Sequence, residues 1–512
     1  MTLSLTLPTL QPTPADPPET RPAKVAEWLD SLARRDAVDA ARAVAHALAT
    51  TNRMAMADNR RLDLAEHYWS SANELWPLLE RRFAHVSHPL SGEALECAKT
   101  ALSLSHELSI AYRHLLSSEA ERRKVIGGSR QLTMLVQRAL DSFARTITAS
   151  YLAYAPVPPK TWLDLHRIYA FARDRGVHLD ASSSDDALAT PERTYLQLLL
   201  LALANPYGMT AGQLATVIRY LGTHARLAKL TDVQPVHRMA KAVAIIPVGH
   251  DFPPFSANKG GAIEGRKMYL LTYDLAFEIQ EQLRALEAGA DVPVGLARDN
   301  GSRRAYAALL KRLLKQWAIP PARQFNRVPS RAPVTSCTGL TEVARYARAL
   351  GERSSGSASA LPAMTTCEVI NHTPAGYALR QTDARSTPLR IGELVGLGIE
   401  GRDPLHVAIV RWFRNTLQGS ALEFGCELLS DSPEAAQAAP EGMGTEALLP
   451  ALVLPPAEKD KDGSSQVIVP IGLFRVEQAI IIEHQGKRLF VVLTKLVEQG
   501  AGFEIYEFIQ VG

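Results

Sequence analysis

Arg323, Arg327 and Arg331 recur four residues apart in the stretch RQFNRVPSR, just before the chain changes from a helical to an alternating apolar pattern. A guanidinium is permanently charged and presents a rigid fork of N–H donors, so a row of them suits the bidentate grip of an anion. The same row also suits a solvated basic linker, and the stretch alone leaves both readings open. The choice turns on a second motif downstream that could complete a binding surface. NHTPAG, Asn371 to Gly376, is the candidate, an amide, a hydroxyl and a glycine at the end of the predicted strand CEVI.

Other stretches match the start of a known motif and fail on its remainder. SANK at 256–259 has S-x-x-K spacing but lacks an S-D-N partner and the helical start that would expose a nucleophile. NKGGAIEGRK fits neither phosphate-cradling glycine pattern and reads as a loop joining two strands. His85 and His88 are three apart, with no acidic or cysteine partner to complete a metal-ligand set. DKDGSS, after Lys459, begins like a calcium loop, but its glycine is misplaced and no glutamate closes it. No catalytic constellation emerges, and the chain reads as a binding protein rather than an enzyme, with no metal site.

The elements that must position the two motifs are bounded first by composition. A chain of 512 residues suggests two to four domains, and 46% hydrophobic residues suffice for sizeable cores. A net charge of +3 gives no global field for DNA, RNA or anionic lipid, so any anion site is local. Cys97, Cys337, Cys367 and Cys426 are scattered, without CxxC spacing, which fits a reduced, cytoplasmic setting. The N-terminus does not resemble a signal peptide, and no stretch reaches the roughly 18 apolar residues of a membrane helix.

Along the chain, residues 1–22 are Thr/Pro-rich and predict disorder. Residues 23–320 predict a mostly helical domain, with apolar spacing of i, i+3 and i+4 over 130–153 and a break at APVPPK. Two strand-like pieces, 242–249 and 267–276, interrupt it, and helices follow at 276–288 and 302–317. No fixed repeat period is evident. From 321 to 435 the pattern alternates with period two: CEVINH, YALRQTD, LVGLGIEG, LHVAIVRWFRN and LEFGCELLS read as strands of a small barrel or sandwich. RSSGSASALPA at 353–363 reads as a flexible insertion, and SPEAAQAAPEGMG at 432–444 as a linker. A C-terminal β module follows within 436–512, with a hairpin around HQGKR; it is either a second barrel or an extension of the first. The fold class is α+β multidomain, helical first and antiparallel β afterwards.

R-x-x-x-R followed by a strand and then [DN]-x-[ST]-x-x-G resembles the PilZ domain, a small β-barrel family that binds the second messenger cyclic di-GMP. RVP after Arg327, LRIGELVGLGIE, VAIVRWFRN and FGCELLS resemble further strands of that family, and the likeness covers about 321–435. The resemblance implies that Arg323 and Arg327 clasp guanine and phosphate, with Asn371, Thr373 and Gly376 forming the barrel-side surface. The chemistry is compatible. A guanidinium pairs with guanine O6 and N7 or with phosphate, Asn371 offers both a donor and an acceptor, Thr373 can bond phosphate or tighten a turn, and Gly376 allows close backbone approach. The sequence departs from the pattern in Thr373 for serine, in Pro374 and in the long gap between Arg327 and Asn371. Arg327 and Arg331 form a second R-x-x-x-R; the pair Arg323/Arg327 is preferred because VP follows it. Trp412, on a predicted strand, reads as core rather than as a stacking platform. The resemblance implies an effector of motility or biofilm regulation, and the many helical faces of the preceding region suggest output through it to a protein partner. The alternative is a helical scaffold with a degenerate barrel.

Overall fold

The computed structural model describes residues 3–11, 17–121, 128–182, 189–235, 242–259, 264–293, 300–318, 325–354, 361–381, 389–399, 405–415, 417, 421–442, 448–455 and 465–511. It divides into two compact units. One comprises Met1–Val86 and Leu90–Ala322, and the other Ser87–Pro89 and Arg323–Gly512.

The first unit is built on helices α1 (Pro22–Leu32), α2 (Ala37–Asn52), α3 (Asp58–Phe83), α4 (Gly92–Glu121), α5 (Gly128–Leu152), α6 (Thr161–Asp174), α7 (Pro191–Leu203) and α8 (Ala211–His224). Local chemistry sets several starts. Asp36 accepts from Val38 N at the head of α2, and Thr190 accepts from Arg193 N with Pro191 in the first turn of α7. Thr210 and Gln213 form a reciprocal capping box on α8. Helix α4 packs against α2, α3 and α5, so residues such as Ala101, Leu104, Leu108, Tyr112 and Leu116 are buried around much of its circumference. A four-stranded antiparallel sheet follows, order β1 (Lys229–Thr231), β4 (Lys267–Leu271), β2 (Val243–Pro247), β3 (Phe255–Ser256). Strand β4 is shorter than the pattern predicts because Thr272 turns the chain. Its N–H and its hydroxyl both bond Ala242 O, and α9 (Tyr273–Glu287) begins directly after it. Helix α10 (Asn300–Trp317) completes the unit.

The Pro-rich start differs from its expectation. Residues 3–11 lie against this unit, with Leu3 buried and Gln11 N bonded to Arg53 O at 2.7 Å. Leu3, Leu5 and Leu7 alternate with Ser4 and Thr6, a strand-like signal outweighed by the surrounding Thr/Pro content.

The second unit holds two closed antiparallel barrels of six strands each. The first comprises β6 (Pro333–Thr338), β7 (Thr365–Thr373), β8 (Gly376–Gln381), β9 (Leu394–Ile399), β10 (His406–Asn415) and β11 (Leu422–Ser430). Its order is β7-β6-β9-β10-β11-β8, closed by β8 on β7, with the short β5 (Val328–Pro329) added on β7. Val369, Leu379, Phe424 and Phe413 pair across successive strands and are buried inside it. The second barrel comprises β12 (Glu434–Pro440), β13 (Leu449–Leu454), β14 (Gln466–Pro470), β15 (Ala479–His484), β16 (Lys487–Gln499) and β17 (Phe503–Gln510), order β12-β13-β14-β17-β16-β15. It is a separate barrel rather than an extension of the first. Its HQGKR hairpin turns through Gln485 and Gly486, both at positive φ, which matches the twist of the flanking strands.

Two sequence expectations change here. The segment 432–444 is not simply a linker, since β12 lies within it, pairing with β13 and β15 and burying Ala436, Ala438 and Ala439. The long gap before Asn371 is filled by a helix, α11 (Leu340–Ser354), that the alternating pattern on either side obscured. Its Leu340, Val343, Ala344 and Tyr346 share one apolar cluster with Leu394, Leu405, Val407 and Ile409 of the first barrel and Leu452, Leu454, Ile468, Phe503 and Ile505 of the second. The residues 355–360 of the Ser-rich stretch lie outside the described set. Among the described residues no helix is long and apolar enough to cross a membrane.

Candidate ligand-binding face of the middle barrel

The arm and the downstream motif meet on one strand. In β5, Val328 pairs with His372 and Pro329 with Asn371; Ser330 N then bonds Ile370 O at 3.2 Å, and Val369 N bonds Ala332 O at 3.0 Å. Arg327 directly precedes β5 and Arg331 follows it, so β5 anchors the middle of the arm opposite Asn371. Both arginines are exposed, and among the described residues neither forms an ion pair. Arg323 lies outside the described residues.

Asn371 reaches the outer surface through a β-bulge. Val369 pairs with Leu379, but the next pair is Asn371 with Ala378, leaving Ile370 as an extra residue. Side chains alternate faces along a strand, so one inserted residue reverses the facing of everything beyond it. Val369 points into the barrel; without the bulge Asn371 would too. With it, Asn371 shares the outer face with Ala378.

Strand β10 repeats the device. Val410 pairs with Cys426 and Trp412 with Gly425, leaving Arg411 as the extra residue. Trp412 is thereby turned outward, while Phe413, opposite Phe424, stays inside. The expectation that Trp412 belongs to the core is corrected: it is half-buried on the outer face. Pairing across β5, β7, β8, β11 and β10 aligns Pro329, Asn371, Ala378, Gly425 and Trp412 in one row. The bulges depend on partner strands, so no single-strand pattern could reveal this row.

The floor of the row is made of small residues for a steric reason. A Cβ on Gly425 would run into the indole of Trp412, which lies across it. A Cβ on Gly376 would run into the Cys426 carbonyl oxygen, and Gly376 also has a positive φ of 153°. Gly376 therefore secures the β8–β11 approach. Thr373 tightens the two-residue turn that joins β7 to β8: its hydroxyl accepts from Ala375 N at 3.2 Å and donates to Gly376 O at 3.5 Å. Pro374 sits in that exposed turn, outside the paired residues, where its missing N–H removes no ladder bond.

The carboxylates of this surface are already matched by arginines. Arg380 bonds Glu423 at 2.8 Å, and that bond raises the guanidinium pKa. Arg411 pairs with Glu427 and with Glu498 of the second barrel. Arg327 and Arg331 remain as uncompensated positive charge beside the row, as an anionic ligand requires. Beneath it, burial pushes the Cys426 thiol up to about 12, so it stays protonated and inert. Among the described residues no group of His, Cys, Asp or Glu could hold a metal ion.

Comparison with known proteins follows this architecture domain by domain. Residues 344–436 match a family model described as "Cyclic-di-GMP receptor FimW, middle PilZ domain". Residues 23–236 match the N-terminal domain of that receptor and 435–511 its C-terminal beta-barrel domain. A protein of Pseudomonas aeruginosa named cyclic-di-GMP receptor FimW is 24% identical over 96% of this chain and 90% of its own length. The middle barrel is a PilZ domain, preceded by a helical domain and followed by a second barrel. The matched span includes Asn371, Thr373, Gly376 and Trp412 and begins after the arginine arm.

Proposed function

We propose that this chain is a cyclic di-GMP effector whose nucleotide site is the outer face of the PilZ barrel between the arginine arm and Trp412. The observation that carries the reading is the pairing of Pro329 with Asn371, which anchors the arm on the row that ends at Trp412. The ligand carries two phosphates and two guanines. Arg327, common to both arginine pairs, grips phosphate or the guanine O6/N7 edge with either Arg323 or Arg331. Asn371 offers its amide to a base edge. Trp412 gives a flat aromatic surface on which a guanine stacks, an interaction worth about 1–3 kcal/mol. Thr373 and Gly376 act by holding the hairpin in shape.

The name of the Pseudomonas aeruginosa relative supports this ligand, and a receptor needs no catalytic group. Ligand binding adds contacts to the arm, which runs in sequence directly after α10, and the helical region carries the output to a protein partner. A cytoplasmic setting fits a site for an intracellular second messenger. Thermal denaturation of the full chain with and without cyclic di-GMP tests the reading, because a ligand that binds only the folded state raises the transition temperature with concentration. A concentration-dependent rise that Arg327→Ala removes supports it, and an unchanged transition at saturating nucleotide overturns it.

A further inference from the structure

Within the helical unit, a buried ion pair has main-chain groups among its partners. Arg113 of α4 and Asp164 of α6 meet at 2.6 Å with side chains 4% and 0% exposed. Burying two charges costs several kcal/mol, recovered only where further hydrogen bonds complete the pair. Ser109 supplies part of that completion. The rest comes from residue 6 of the chain: the Thr6 N–H and hydroxyl both donate to the Asp164 carboxylate, at 3.1 and 3.3 Å, and Arg113 donates to Thr6 O at 2.7 Å. Carboxylate and guanidinium thus bond the N–H and C=O of one residue of the N-terminal segment.

The neighbouring contacts follow the same rule. Arg167 donates to Ser4 O at 2.7 Å, and Gln11 forms a parallel bridge with Met54. Main-chain contacts tolerate many sequences, and selectivity falls to the alternate side chains, as in other modes of strand recognition. Here those are Leu3, which is buried, and Leu5 and Leu7, which are half-buried. The surface continues past Leu3 and Ser4 into a pocket of about 230 Å³ lined by Arg167, Phe171, Asp174 and Arg266. Residues 3–11 precede α1, and none of them belongs to a helix.

We propose that α4 and α6 form a groove that binds a peptide by its main chain, and that the N-terminal segment 3–11 occupies it as a displaceable strap. The partner that fits is a protein segment of the same chemistry, Leu-x-Leu-x-Leu with a non-proline residue over the Arg113–Asp164 pair. The inference is independent of the nucleotide site.

A labelled peptide of residues 2–11 tests it by fluorescence anisotropy on the intact chain carrying Thr6→Pro, which removes the strap's N–H and hydroxyl at the pair. That variant and a chain lacking residues 2–11 are expected to bind the peptide saturably and at least tenfold more tightly than the wild-type chain. A peptide carrying Thr6→Pro is expected to bind neither. Hydrogen exchange on the intact wild-type chain provides a reading that needs no variant, with the Thr6 amide expected to exchange faster than the amides of central α4. Absence of peptide binding to both variants, equal binding by wild type, or Thr6 exchange only on global unfolding overturns the proposal.

Discussion

Asn371 and Trp412 face the same side of the PilZ barrel because each follows one extra residue in its strand, Ile370 and Arg411 respectively. Between them lie only Ala378 and Gly425. Two bulges on non-neighbouring strands thus place an amide and an indole across one shallow track, with the arginine arm at the amide end. Bulges commonly re-aim side chains in this way.

This relationship predicts that Trp412 reports on the ligand. Trp412→Ala should weaken cyclic di-GMP binding about tenfold or more, in line with about 1–3 kcal/mol for one stacked base. The chain has six tryptophans, so fluorescence should be titrated for wild type and for Trp412→Phe. The ligand-dependent change should disappear in the variant. An equal change in both would place the bases elsewhere.

Gly425 should be coupled to Trp412. A side chain at Gly425 collides with the indole, so Gly425→Ala should lower both ligand affinity and the thermal transition of the second unit. Adding Trp412→Ala should restore most of the transition temperature without restoring binding. Neighbours sharing one space show interaction energies of about 0.5–3 kcal/mol in such a cycle. Strict additivity would mean that the indole does not rest on Gly425 in solution.

Much of the barrel was legible, because β7 to β11 are short runs rich in apolar and β-branched residues. The facing of Asn371 and Trp412 was not, since a bulge is defined by the partner strand. Helix α11 was missed although Leu340, Val343, Ala344 and Ala347 follow helical spacing; strands on both sides drew the reading toward β. The motif NHTPAG was legible as a stretch, and in the structure Thr373 and Gly376 have local duties there, the turn and the approach to the Cys426 carbonyl. The strap escaped because composition was weighed over the Leu3, Leu5, Leu7 alternation.

The buried pair in the helical unit predicts an asymmetric stability response. Asp164→Ala leaves the Arg113 charge buried without its counter-ion and should destabilise the unit by about 3–5 kcal/mol. Arg113→Met with Asp164→Leu should cost less than that single change. Chemical denaturation followed by circular dichroism measures both, and a double variant less stable than Asp164→Ala would contradict the assignment.

Acid should destabilise the helical unit. His166 is buried, with Nδ1 2.7 Å from the Tyr195 hydroxyl and Nε2 2.9 Å from Phe252 O. Burial pushes it, and likewise His114, from 6.5 down to about 4, and His106 is also lowered by burial. As pH falls from 6.5 toward 4 the unfolded chain takes up these protons first, so stability present above 6.5 is lost progressively across that window. Asp141 opposes this, since burial raises it from 3.8 to about 6 and its contribution, present at low pH, is lost as pH rises through 6. Burial also raises Glu80, which acts in the same sense as Asp141, and the three lowered histidines outweigh the two carboxyls to leave a net loss on acidification. Melting at pH 7 and pH 5 should show the lower transition at pH 5, with His166→Gln reducing the difference; a higher transition at pH 5 would reverse the assignment.

Calorimetric titration of the full chain with cyclic di-GMP tests the central claim most directly. Saturable binding of micromolar affinity or tighter is expected, abolished by Arg327→Ala and weakened by Asn371→Ala. Arg323→Ala and Arg331→Ala, titrated separately, identify which arginine works with Arg327. Absence of binding heat together with an unchanged melting transition at high nucleotide, or full affinity retained in Arg327→Ala, would contradict it.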